Sequence, residues 1–205
     1  MIINMPRIFE GQPVTILGGG YSLTGFNWQR VRHPAIAVNY SIINFPDAEV
    51  SVGLDSGFFT TKREYFDPDE FFKTYRGYMI TDREPLPEKA LKVQYEGVAL
   101  PESEKNIDWH CQSANISGFF ALALAFHLGA SKVYLLGFDG GYYQQSNHYY
   151  HNPNITSATL ESINVHYEFF KNYPVLNVIN PAFPTKIQYF KTCDINSNFY
   201  DHETF

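Results

Sequence analysis

Cysteine is scarce, with only Cys111 and Cys193 in 205 residues, and the two stand in unrelated contexts. A disulfide framework is thereby excluded, and the expectation is a reduced, cytoplasmic protein. Positive charge is also short. The formal net charge is -6, so the chain carries no basic footprint for duplex nucleic acid. No apolar run approaches the length of a membrane-spanning helix. The first residues lack a basic stretch followed by an apolar run and a cleavage site, so no secretory signal is expected. Internal repeats and low-complexity tracts are missing as well. Charged residues make up 18% and hydrophobic residues 44%, a balance that argues against disorder.

What is present is a chain long enough for one continuous core, read as a single domain over 1–205. Aromatic residues reach 17%, which suits a thick core and a surface or pocket that presents rings. Val14-Thr15-Ile16-Leu17 reads as a buried strand entering the turn Gly18-Gly19-Gly20. Phe26 to Val31 fits a short helix before Pro34, and Ala35 to Val38 a second buried strand ending at Asn39. Glu49 to Leu54 is a third, ending at Asp55. The segment 61–106 is polar and rich in proline and charge, an irregular insertion or flap with strand candidates at Tyr78-Met79-Ile80 and Lys92 to Tyr95. Gly118 to Leu128 predicts a buried helix stopped by Gly129. Lys132 to Phe138 is the strongest strand and ends at Asp139. Thr156 to Tyr173 reads as a helix, and Val175 to Ile179 as a strand ending at Asn180. Strands alternating with helices imply an α/β fold: a Rossmann-like, doubly wound, mainly parallel sheet.

The strands end successively in small or polar residues: Gly18 to Gly20, Asn39, Asp55, Asp139 and Asn180. Asn and Asp commonly begin turns, which accounts for any one of them. Five in register point instead to a ligand crevice, because open parallel sheets bind ligands beyond the carboxyl ends of their strands. In the loop Gly18-Gly19-Gly20-Tyr21-Ser22-Leu23, glycines let backbone approach a phosphate. Leu23 stands where G-x-G-x-x-G needs its last glycine, and no Walker Lys-Ser/Thr follows, so a tight structural turn competes with that reading. Asn115-Ile116-Ser117-Gly118 suits a helix N-cap and, compatibly, a base, ribose or phosphate contact. His148 and His151 offer imidazoles able to take a proton from a hydroxyl near neutral pH. No metal-ligand spacing accompanies them. Tyr142 and Tyr143 either donate hydroxyls to a leaving phosphate or pack.

Taken in order, the run ILGGGYSLTGFNW, the later VNYS, NISGFFALALAFHLGASKVYLLGFD, the HYYH loop and VINPAFPTKIQYF resemble one group. That group is the bacterial sialyltransferases that use CMP-sialic acid, with the related DUF115-like proteins of bacteria and phages. The likeness covers most of the chain except 61–106. In the sialyltransferases the first loop reads G-x-G-P-S-L; Gly18, Gly20, Ser22 and Leu23 match, and Tyr21 replaces the proline. Asn39 falls where an asparagine contacts the donor, and Ser117-Gly118 matches an element lining the cytidine pocket. Asp139 matches the aspartate of a Gly-Ile-Asp-Phe-Tyr strand end, with Tyr142 or Tyr143 near the place of phosphate-binding tyrosines. His151 is the better match for the catalytic base in a H-Y-x-x-H pattern. HYYH is one residue shorter, which keeps His148 beside it as a candidate.

The resemblance implies a metal-independent glycosyltransferase with no cofactor, whose substrate is a nucleotide-activated sugar of the CMP-sugar kind. Gly18, Gly19, Gly20, Ser22, Asn39, Asp55, Asn115, Ser117, Gly118 and Asp139 would bind the nucleotide, and His151 or His148 would serve as base. The same group includes pterin pyrophosphokinase-like members. They imply the alternative of Mg²⁺-dependent diphosphate transfer to a pterin or similar alcohol, with Asp55 and Asp139 as candidate ligands. A third reading is a protein that sequesters a nucleotide without turnover. The expected partner in each is a nucleotide-containing small molecule, in the cytoplasm of the cell or of a phage host, with self-association left open.

Overall fold

A computed structural model describes residues 6–54, 58–81, 90–92, 117–140, 177–181, 185–187 and 189–201. The strands are β1 Pro13–Leu17, β2 Ala35–Val38, β3 Val50–Val52, β4 Tyr78–Thr81, β5 Ala90–Lys92, β6 Lys132–Leu136, β7 Val178–Asn180 and β8 Lys191–Thr192, the central ones built from short, largely apolar runs. All neighbours pair in parallel, in the order β5-β4-β3-β2-β1-β6-β7-β8. This is the expected Rossmann-like α/β sheet. Segment 61–106 contributes to it directly, since β4 and β5 pair alongside β3 and helix α2 (Pro68–Thr74) precedes them. The observed β5 begins ahead of the expected strand at Lys92 to Tyr95, while β8 had no counterpart in the sequence reading. Both are short, and the two residues of β8 are exposed, so neither carries a strong apolar pattern.

Side chains alternate across the sheet, as strand geometry requires. Val14, Ile16, Ile36, Val38, Val50, Val52, Val133 and Leu135 share one core with helix α3, Ser117–His127. The opposite face carries Leu17, Ala35, Ala37, Met79, Tyr134 and Leu136. There the small side chains of β2 leave room for rings from Tyr40, Phe58, Phe66, Phe72 and Tyr75, and for Phe199 near the end of the chain. Both faces are therefore covered.

Helix α3 lies within one residue of its expected span at each end, and the chain turns away where Gly129 takes φ +101°. Phe119, Phe120, Leu122, Leu124 and Phe126 are all buried. Each is worth roughly 1.5–3 kcal/mol relative to exposure, so the helix is held firmly against β1 and β2. Phe26 to Val31 forms no α-helix, only a single 3-10 turn at Trp28–Arg30, capped by the Asn27 side chain. The helix expected at Thr156 to Tyr173 lies outside the described residues. Among the described residues, no helix is long and apolar enough to cross a membrane.

Candidate nucleotide-binding crevice

From β1 the chain builds outward through β2 to β5, then returns to lay β6 on the other side of β1. The connections after β1 and β6 therefore leave in opposite directions. This reversal of strand order is the place where open parallel sheets bind ligands, beyond the carboxyl ends of their strands. Gly18, Gly20, Asn39 and Asp139 all follow the carboxyl ends of the adjacent strands β2, β1 and β6. The sequence reading placed them in one site, and the sheet brings them to one edge.

Contact is closest between the loops after β1 and β6. The Gly18 and Gly20 amides donate to the carbonyls of Leu136 (2.7 Å) and Gly137 (2.8 Å). A Cβ on Gly18 would lie 2.7 Å from the Gly137 carbonyl oxygen, and one on Gly20 only 2.5 Å from it and 2.7 Å from the Asp139 carboxyl carbon. Those two glycines are needed because two backbones touch. Their amides are committed within the chain, so they shape the crevice and do not form the phosphate cradle that a glycine loop suggests.

Asp139 completes the contact. Its Oδ2 accepts from the Ser22 amide at 2.7 Å and its Oδ1 from the Ser22 hydroxyl at 2.5 Å. Burial pushes the Asp139 carboxyl above its ordinary range, and the two bonds from Ser22 oppose that shift. A carboxylate thus already serves the loop amide that an anionic ligand would use. A phosphate about 4 Å from it would meet repulsion on the order of 4 kcal/mol at an effective dielectric of ~20.

The neighbouring strand ends are tied in by further bonds. The Ser41 hydroxyl, in the one-turn helix α1 (Ser41–Asn44), donates to the Gly18 carbonyl at 2.7 Å. Asn39 adopts φ 51° and donates its amide to Val52 at 2.8 Å. Asparagine tolerates this left-handed conformation better than most residues. At the start of α3, Ser117 is buried and its hydroxyl accepts from the Leu54 amide at 3.0 Å, which joins the helix to the end of β3. Gly118 follows in the first helical turn and is half-buried. Gly19 is also half-buried, between the two committed glycines.

Asn180, the last strand end, is fully buried. Its Nδ2 donates to the Phe138 carbonyl at 3.0 Å and lies 3.3 Å from Thr185 Oγ1. The Thr185 hydroxyl shares its proton between the carbonyls of Phe138 (2.9 Å) and Asp139 (3.1 Å). These bonds fix the turn that carries Asp139. Sequence reasoning missed Thr185 because nothing local marks a threonine as the partner of a turn some 46 positions away. It also missed the rim beyond β2, where the Arg63 guanidinium lies 5.3 Å from the centre of the Tyr40 ring. Tyr65 packs edge-on against the same ring and remains 54% exposed. An isolated Tyr in a polar segment carries no signal of its own.

Asp55, Asn115, Tyr142, Tyr143, His148 and His151 lie outside the described residues. Among the described residues, no three His, Cys, Asp or Glu side chains gather to hold a metal ion. Both Asp139 oxygens accept from Ser22, so a Mg²⁺ ion bound there would share oxygens that are already hydrogen-bonded. Comparison with protein-family models, curated proteins and solved structures finds no match for this chain.

Proposed function

We propose that this crevice binds the nucleotide part of an activated sugar and that the chain is a glycosyltransferase of the CMP-sugar-dependent kind. The reading rests on one observation: the strand order reverses between β1 and β6 where Gly20, Ser22 and Asp139 meet. The ordered motifs that resemble the bacterial sialyltransferases supply the sugar-nucleotide class. Each Asp139 oxygen keeps a second lone pair, suited to accept from ribose hydroxyls. Tyr65, exposed at the rim, offers a ring face to a base or sugar.

In the proposed reaction an acceptor hydroxyl attacks the anomeric carbon of the donor. The bond from that carbon to the phosphate oxygen breaks, and the nucleoside monophosphate leaves. His151 or His148 takes the acceptor's proton. Tyr142 and Tyr143 donate to the departing phosphate, whose growing charge is where fixed donors help most.

Calorimetric titration with CMP, CDP, GTP and ATP, each with and without Mg²⁺, tests the reading. Cytidine nucleotides binding without metal is the expected result. Binding of triphosphates only with Mg²⁺ would replace sugar transfer by diphosphate transfer, and no binding at all would remove the nucleotide.

A further inference from the structure

We infer that Lys186 is the cation that receives the nucleotide's phosphate in this crevice, an inference that rests on the nucleotide reading above. The site has an electrostatic deficit. The chain carries a net charge of -6, the Gly18 and Gly20 amides are spent within the fold, and the Ser22 amide is held by the Asp139 carboxylate. A phosphate entering here needs positive charge from elsewhere.

The fold narrows the source. Arg30, Arg32 and Lys132 belong to the opposite edge, because they precede or open β2 and β6. Arg30 and Arg32 are moreover stacked over Phe199 and Tyr200. Arg63 is engaged by the Tyr40 ring, its guanidinium 5.3 Å from the ring centre. Lys186 is different. Its amide donates to the Asp139 carbonyl at 2.8 Å, which pins its backbone beside the switch point. Thr185 and Asn180 lock the same junction from within. The residue is exposed, and among the described residues no carboxylate lies within ion-pair distance of its ammonium. A mobile four-carbon stem on a fixed backbone lets the ammonium meet a phosphate above the Asp139 turn. Asp139 then faces the ribose hydroxyls and Lys186 the phosphate, so that the two charges sort the two ends of one ligand.

The test is titration of CMP and of cytidine into the intact chain, its Lys186→Gln variant and its Lys186→Arg variant. Lys186→Gln should weaken CMP roughly ten- to hundred-fold, the scale of a charge-assisted bond, and leave cytidine unchanged. Lys186→Arg should recover most of the CMP affinity. The salt dependence of CMP binding should flatten in the Gln variant alone. The side chain is exposed, so an unchanged melting temperature is expected in both variants. If Lys186→Gln binds CMP as the parent chain does, the assignment is overturned while the nucleotide reading stands. If the parent chain binds CMP no better than cytidine, phosphate receives no help at this site and the lysine has no role. Failure of the parent chain to bind either compound removes the nucleotide reading itself.

Discussion

The Asp139 carboxylate accepts from both the amide and the hydroxyl of Ser22, joining two loops 117 positions apart in sequence. Because burial raises its pKa, the folded chain holds this proton to a higher pH than the unfolded chain does. Between the two pKa values the folded state binds more protons, so this group's contribution to stability falls as pH rises through that window. Asp139→Asn keeps an acceptor for the Ser22 amide and can donate to its hydroxyl, without the charge. The parent chain should therefore lose stability relative to Asp139→Asn as pH climbs from about 4, the ordinary carboxylate value, and then level off. Melting curves of the two proteins across that range decide it, and a constant offset would show that Asp139 titrates normally.

The glycines of the first loop should fail as packing residues before they fail as ligand contacts. A Cβ at Gly20 would press on the Gly137 carbonyl and on Asp139, neither of which can retreat without opening the β1–β6 junction. Gly20→Ala should cost about 1–3 kcal/mol, the range for overpacking a tight site, and Gly20→Val more. Denaturant unfolding measures this without any ligand. A Gly20→Ala protein of parental stability would show that the two loops can separate freely.

Asn39 needs a variant that respects its backbone. At φ 51° an alanine is strained by roughly 1–2 kcal/mol, so Asn39→Ala mixes a folding cost with any loss of ligand contact. Asn39→Gly removes the side chain and keeps the conformation. It should retain the parental melting temperature to within a degree or two of Asn39 itself, by order of magnitude, and bind nucleotide more weakly. Undiminished CMP affinity in the glycine variant would leave Asn39 a turn residue only.

The proposed base is tested by rate. General-base help contributes about 10²- to 10⁴-fold, so His151→Ala should slow sugar transfer by that order and leave CMP affinity intact. His148→Ala should slow it less, since His151 is the better match to the resembled pattern. Equal and mild losses in both variants would take histidine out of the mechanism.

Much of the sheet was legible in the chain because its signals are local. Val14 to Leu17, Ala35 to Val38 and Val133 to Leu136 are largely apolar runs closed by glycine or a turn-forming side chain, and each lies in a strand. The apolar stretch ending at Gly129 became the buried helix for the same reason. β8 was not legible, because two exposed residues carry no pattern of their own and are a strand only through their pairing with β7. Local sequence also marked the strand ends as a row of small and polar residues, but left their roles open between turn and ligand. Tertiary structure divided them. Strand order is a contest among non-local pairings, and it decided that the ends of β1 and β6 lie side by side. That adjacency made Gly18 and Gly20 into contact residues, gave Asp139 to Ser22, turned Asn180 into a clamp and brought Lys186 beside Asp139. None of these partnerships has a spacing rule, because each links loops whose separation in sequence is set by the crossovers between them.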